Sequence, residues 1–589
     1  MPTDGSAKLI SVRTTIGDDG CREWTVVFRE AAPSCAPPTP TAAPPDVRPP
    51  QQKVALKPAK PTPATPAKAV AFTESPPSGP LPGPTKALAT TAPTPYSKTM
   101  MDRIFPLKCQ VKTYAWGKLG SVSLVGRLAL TGLEEIEVAD NVPYAELWMG
   151  SHPSGPSMVT LSSPWRTVTP LSEWIKLNPA LLGPPRPALS DRDTRLTRRK
   201  SMERLTESSL PFLFKILSVR TALSIQAHPD KALAARLHAT RPDMYKDDNH
   251  KPEMAVAITP FEALCSFQPA YSIIENCRAT PELVALVGED AVWALDDAAS
   301  KRTNAIHTPS PKTAEKVINF GGGSSSESLE DVHTKFTDAL KTLFHRLMTA
   351  PTDKVREQLE ALMRRVQSTS KMLRAPVDVL AMRLHEQYPA DVGVFCAYLL
   401  NYKQLEPGEA LYLGANEPHA YIAGDCAEVM ATSDNVVRAG LTPKWKDTDT
   451  LCEMLTYKDG SPHVVTPTQS ADQPHVWRYT PPAEVDEFVL DRVEMPAAAP
   501  AATLPPSSGL SIVIVIHGTA SVEQLDDETN GAVGLRHQLS AGAVHLVCPH
   551  TELRIKAVDG PVLLFKAAAK DVNDDIDIIT TGLTLGLGA

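Results

Sequence analysis

The chain reads as a mainly β protein with an inserted α-helical domain. Two small β-barrels of similar plan, the first carrying the chemistry, follow a disordered N-terminal tail. Three observations predict this. Short strands and tight turns fill the stretch from about 105 to 267 and return after 390. Between roughly 268 and 389, apolar residues recur every three to four positions, the helical period. Residues 31–94 are dominated by Pro, Ala, Thr and Lys (APPTPTAAPPDVRPP, then KPAKPTPATPAK), with too few apolar groups to offset the entropy of folding. A chain of 589 residues is also too long for one core. The texture changes place boundaries at 1–100 (tail), 101–267 and 390–470 (catalytic barrel in two parts), 268–389 (helical domain) and 471–589 (C-terminal barrel).

In chain order, the tail contains one strand-like piece, EWTVVF (Glu23 to Phe28), with no evident pairing partner. Met100 and Met101 stand just before the globular texture, so the tail is expected to be dispensable, and translation starting there is testable by mass spectrometry of the N-terminus. CQVKTYAWGKLGSVSLVG and PYAELWMGSHPSGPS predict short strands broken by Gly and Pro. TPLSEWIKLNPALLG predicts an amphipathic helix, SDRDTRLTRRKSMERLTESS a polar loop, and LPFLFKIL a strand buried on both faces. ESLEDVHTKFTDALKTLFHRLM and TDKVREQLEALMRRVQ predict helices, with His333 and His345 on their surfaces. A Gly/Ser-rich loop near 301–328 interrupts them. LEPGEALYL predicts a hairpin around Pro-Gly. After a second Ala/Pro linker, SAGAVHLVCPHTEL echoes EPGEALYLGANEPHAY. His550 is the counterpart of the earlier Pro-His histidine, but without companions it reads as structural.

Composition excludes several classes. With 59 basic and 67 acidic residues the net charge is −8, which argues against a nucleic-acid surface. The basic cluster RLTRRK reads as a solvated loop. Nine cysteines are scattered singly, neither a disulfide framework nor a zinc ribbon, so buried free thiols are expected, with Cys265 and Cys426 packing near the site. The opening MPTDGSAK has no signal or transit profile, and LSIVIVI is too short to span a bilayer. A cytoplasmic protein without membrane contact follows.

The chemistry concentrates in TALSIQAHPDK (Thr221 to Lys231) and DDNHKPEMA (Asp247 to Ala255). Gln226 and His228, two apart on a strand, project to one face. Glu253 follows shortly, beside His250 and Lys251. An amide oxygen, an imidazole and a carboxylate meeting at one point make a divalent-metal site. His419, in ANEPHAYIAGD, is the proposed fourth member.

The ordered blocks QVKTYAWGKLGS, YAELWMGSHPSGPS, LSIQAHPDK, HKPEMA and EPHAYIAGDCAEVMATSDNVVRAGLTPK resemble the type I phosphomannose isomerases, zinc enzymes of the cupin superfamily. The resemblance runs from Phe105 to the C-terminus apart from the tail and the two loops. It implies cupin-like barrels and one Zn²⁺ per subunit on Gln226, His228, Glu253 and His419. It also implies interconversion of mannose 6-phosphate and fructose 6-phosphate through an enediol, supplying mannose for GDP-mannose synthesis and glycosylation. A base must take a carbon-bound proton; His250, Lys251 and Glu428 are the candidates, with Asp434 further off. Arg438 and Lys444 look like the family's cleft cations, suited to oxyanions and phosphate. Ser224 shares the ligand face and can reach phosphate or sugar. Trp116 is either a substrate contact or cleft-wall packing, as is Trp148. The partner is a small sugar phosphate, and a monomer is expected.

Two other classes stay open at this level. A metal-dependent oxygenase on the same barrel would use two histidines and a carboxylate, and oxygen consumption with added iron distinguishes it. A non-catalytic sugar-phosphate-binding protein would be expected to have lost a ligand, and none is lost.

Overall fold

A computed structural model describes residues 7–16, 22–30, 102–132, 136–161, 167–183, 209–307, 328–525 and 532–571. The chain divides into two compact units, Met1–Thr85 and Lys86–Ala589. In the first, Ala7–Ile16 pairs antiparallel with Arg22–Glu30. This corrects the expectation that EWTVVF lacks a partner: AKLISVRTTI is β-branched and half-alternating, and Gly-Asp-Asp-Gly lies between the two strands. The Pro/Ala-rich stretch expected to be disordered and the loop near 190–208 lie outside the described residues; of the loop expected near 301–328, residues 301–307 instead continue the helix Glu289–His307, and 308–327 lie outside the described residues.

The second unit is mixed helix and sheet, and its ladders are antiparallel. An eleven-stranded sheet is organised around the long strand His419–Ala431. Its first half pairs with Ile225–Ala227 and Phe261–Phe267, its second with Phe212–Val219 and Glu253–Ala257. One strand thus serves two layers. The change of layer falls at Gly424, whose φ is +112° and where an added Cβ would lie 2.5 Å from the Pro260 carbonyl oxygen; only glycine fits there.

Alternation then sorts the side chains. Ile225, Ala227, Ala420, Ile422, Val437 and Ala439 join the core that the helices bury. Gln226, His419 and Arg438, at the intervening positions, face inward. On the other layer Met254, Val256, Phe212, Phe214 and Ile216 pack toward the C-terminal part with Phe488 and Leu490. Glu253 and Lys215 therefore face inward too. The strand predicted from LPFLFKIL is buried along its length.

The helical block forms as predicted. Leu329–Met348 buries Val332, Phe336, Leu340, Leu343, Phe344 and Leu347 and starts at a Ser328–Asp331 capping box, which satisfies two orphan amides. His333 and His345 are exposed on this helix. No helix among the described residues is long and apolar enough to cross a membrane.

The hairpin expected at LEPGEALYL is not one. Leu400–Leu405 pairs with Phe261–Phe267, whereas Ala410–Leu413 pairs with Glu253–Ala257. The turn at Pro407-Gly408 is a corner between layers, because the strands on its two sides pair with different partners. The later echo repeats this plan: Ala532–Ser540 pairs in a four-stranded sheet and Val544–Val547 in a nine-stranded one. Val513, Val515, Val522, Ile555 and Leu564 fill the space between those two sheets. Among the described residues, hydrogen-bond paths in both halves are open rather than ring-closed. Ile104–Lys108, placed by sequence with the catalytic part, pairs with Val544–Val547 of the C-terminal sheet.

Candidate metal centre

Three inward side chains converge. Ligand atoms of His228, Glu253 and His419 all lie within 4.8 Å of one another, and the residues are 0%, 1% and 1% exposed. His228 Nε2 is 3.3 Å from Glu253 Oε1, and His419 Nε2 is 3.4 Å from Glu253 Oε2. His228 Nδ1 donates to the Asn435 carbonyl at 2.7 Å, and His419 Nδ1 to the Glu417 carbonyl at 3.0 Å. Each ring thereby presents an unprotonated Nε2 inward, the tautomer a metal needs. His228 Nε2, His419 Nε2 and Glu253 Oε2 have no hydrogen-bond partner among the described residues. Three buried lone-pair atoms facing one another without donors are costly unless a cation joins them. The donor set fits a divalent metal.

Burial, then the Lys251 charge, pushes the His228 imidazole down to about 4, so it is neutral at physiological pH. Burial works against the Glu253 carboxylate, but the Lys251 ammonium at 2.9 Å holds its carboxyl well below the usual range.

Gln226 sits in register between His419 on one side and Arg438 on the other. Directly opposite residues share a face, so amide and guanidinium flank the cluster. Both are half-buried. Ser224, also half-buried, precedes Gln226 by two positions. Cys265 lies opposite His419 on the other flank. Trp116 packs on the apolar wall of the inner face and stacks on Tyr114. Lys444 is exposed beyond the Arg438 strand. Asp434 is 3.4 Å from His152. His250 is not turned to the cluster: its Nε2 lies 2.6 Å from Glu487.

Glu428 lies one strand over from Glu253, on the same face. It is buried, 2.8 Å from Lys215 Nζ. Burial alone would lower the Lys215 pKa, but Glu428, Glu146 and Glu253 together raise it. Burial raises the Glu146 carboxyl, partly offset by Lys215; Glu146 accepts from Trp148 Nε1 at 2.5 Å. Sequence reading missed Lys215, Glu146 and Glu487. The signal for the first was a lone lysine inside an otherwise apolar strand.

The comparisons agree with this geometry. Residues 104–270 match the type I phosphomannose isomerase catalytic domain and 312–400 its helical insertion domain. Mannose-6-phosphate isomerase of Rattus norvegicus is 38% identical over 471 residues, 79% of this chain and 98% of that protein. Mannose-6-phosphate isomerase 1 of Arabidopsis thaliana is 40% identical over 456 residues, 77% and 91% of the two chains. A solved mannose 6-phosphate isomerase bound with zinc and yttrium superposes with a TM-score of 0.57 at 25% identity, covering 80% of this chain and all of that one. With nearly the whole length of these relatives matched, and the matching catalytic segment carrying the His228 and Glu253 pair, the chain belongs to the type I phosphomannose isomerases and is an isomerase of mannose 6-phosphate.

Proposed function

We propose that the chain interconverts mannose 6-phosphate and fructose 6-phosphate through an enediol, with one zinc ion held by His228, Glu253 and His419 and completed by Gln226. When bound, zinc supplies Lewis-acid stabilisation of charge on the sugar oxygens. The observation that carries this reading is the convergence of three orphaned, buried ligand atoms on one inward face.

The chain's own groups then divide the work. Lys251 keeps Glu253 anionic. Glu428, diagonal to Glu253 on the neighbouring strand, carries the proton from C2 to C1, and Lys215 Nζ, 2.8 Å away, holds the carboxylate in place. Arg438 braces the developing oxyanion, a task suited to a fixed guanidinium. Lys444 and Ser224 take the phosphate, and Trp116 walls the sugar. A coupled assay on both sugar phosphates, with and without EDTA, tests the scheme. Turnover lost in chelator and restored by Zn²⁺ is expected; a metal-replete protein without turnover overturns it.

The two-layer halves read as a catalytic and a C-terminal cupin-like barrel, with the boundaries predicted from sequence except that Ile104–Lys108, Met158–Leu161 and Thr167–Pro170 go to the C-terminal sheet. We place the monomeric enzyme in the cytoplasm, consistent with free, buried cysteines, where it supplies mannose 6-phosphate for GDP-mannose synthesis and glycosylation.

A further inference from the structure

We infer that Glu487, contributed by the C-terminal half, is a positioning residue that sets the spacing of His228 and Glu253. One oxygen, Oε1, receives Lys231 Nζ at 2.9 Å and His250 Nε2 at 2.6 Å. Lys231 follows His228 by three residues, and His250 precedes Glu253 by three. A single carboxylate oxygen therefore ties the two ligand-bearing segments together. The tie is rigid at its own end. Glu487 is buried between Val485 and Phe488, which are 1% and 0% exposed, and its second oxygen accepts the Asp486 amide at 3.2 Å.

On the far side Asn435 supplies a second tie, its carbonyl accepting from His228 Nδ1 at 2.7 Å and its amide donating to the Asp247 and Asn249 carbonyls at 2.8 and 3.0 Å. Asp230 caps the helix Lys231–Thr240 and receives Asn416 Nδ2 at 2.8 Å. Lys251 reaches Glu253 directly. Neither contact links the His228 segment to the Glu253 segment. Met254 and Val256 already pack in the same core as Phe488, so packing sets the depth of the Glu253 strand. The carboxylate adds a lateral constraint from the side opposite Asn435.

The inference rests on the metal-site reading, and the test separates the two. In the metal-stripped full-length protein, the Kd for Zn²⁺ is measured by chelator competition for wild type, Glu487→Gln, Glu487→Ala and Asp491→Ala. Asp491 makes the buried ion pair with Arg478 in the same C-terminal sheet and touches neither ligand segment; it controls for loss of stability. The expected result is a Kd raised about 10-fold or more in Glu487→Ala, as for other groups that orient ligands. Glu487→Gln should lie between, and Asp491→Ala should stay within twofold of wild type. Added Zn²⁺ should restore most of the kcat lost in Glu487→Ala, because occupancy rather than chemistry is impaired. Equal Kd values in wild type and both Glu487 variants overturn the inference while leaving the metal site standing. So does an equal loss in Asp491→Ala. Absence of Zn²⁺ binding by wild type overturns both. Should Glu487→Ala fail to fold, Glu487→Gln decides by the same criterion.

Discussion

An ammonium buried in an apolar strand, as at Lys215, persists only where carboxylates surround it. Lys215 and Glu428 are therefore predicted to be strongly non-additive. Lys215→Met alone strands a buried carboxylate and should cost about 3–5 kcal/mol in urea unfolding. The double variant Lys215→Met, Glu428→Gln should recover much of that loss, and a double-mutant cycle measures the difference. Glu428→Gln alone should lower kcat by at least about 100-fold while zinc content, read by atomic emission, stays at one per chain. His545 gives a pH prediction. Burial and then His537 push its imidazole down to about 4, against the pull of Asp102. The unfolded chain therefore binds this proton first. Stability should be full above about 6.5 and decline by up to about 3 kcal/mol as pH falls to 4. Melting curves of His545→Leu should lack that share of the decline. At this scale the ligands were legible because Gln226 and His228 alternate on a strand beside a nearby acid. Lys215 was not, because strand periodicity does not reveal which inward position holds a charge. Glu487 was not, because PPAEVDEF reads locally as a polar loop.

Elements were legible by type more than by partner. The helix Leu329–Met348 shows its buried stripe and its cap in the sequence itself. The turn at Pro407-Gly408 was equally visible, but a turn signal does not say whether the following strand returns to its neighbour or crosses to the other layer. Here it crosses, and the repeat of that corner before Val544–Val547 shows that the two halves share a plan. The bend at Gly424 matters most for the site, since it lets His419 and Glu428 share one strand yet stand in different layers. Gly424→Ala should cost about 2 kcal/mol or more through backbone strain and the Pro260 contact. It should also weaken zinc binding more than Gly460→Ala, where an added Cβ meets nothing within 4 Å. Calorimetry with chelator competition compares the two.

At the level of the whole molecule, composition indicated several units but not which distant segments join. Ile104–Lys108 joins strands from both ends of the chain, pairing with Met158–Leu161 on one side and with Val544–Val547 on the other. The Arg103 amide donates to Gln524 across 421 residues. A chain begun at Met100 keeps all of these pairings. It should match the full-length protein within twofold in kcat/KM and melt at the same temperature, as activity assays and calorimetry can establish.

That closure also orders events on the ribosome. Ile104–Lys108 and its early partner Met158–Leu161 leave the exit tunnel long before Val544–Val547 is translated, so one edge must wait unpaired for most of synthesis. Refolding from denaturant should accordingly be slow and concentration-sensitive, as loops of this length and exposed strand edges dictate. Regain of isomerase activity should coincide with the final, C-terminal docking event rather than with early helix formation.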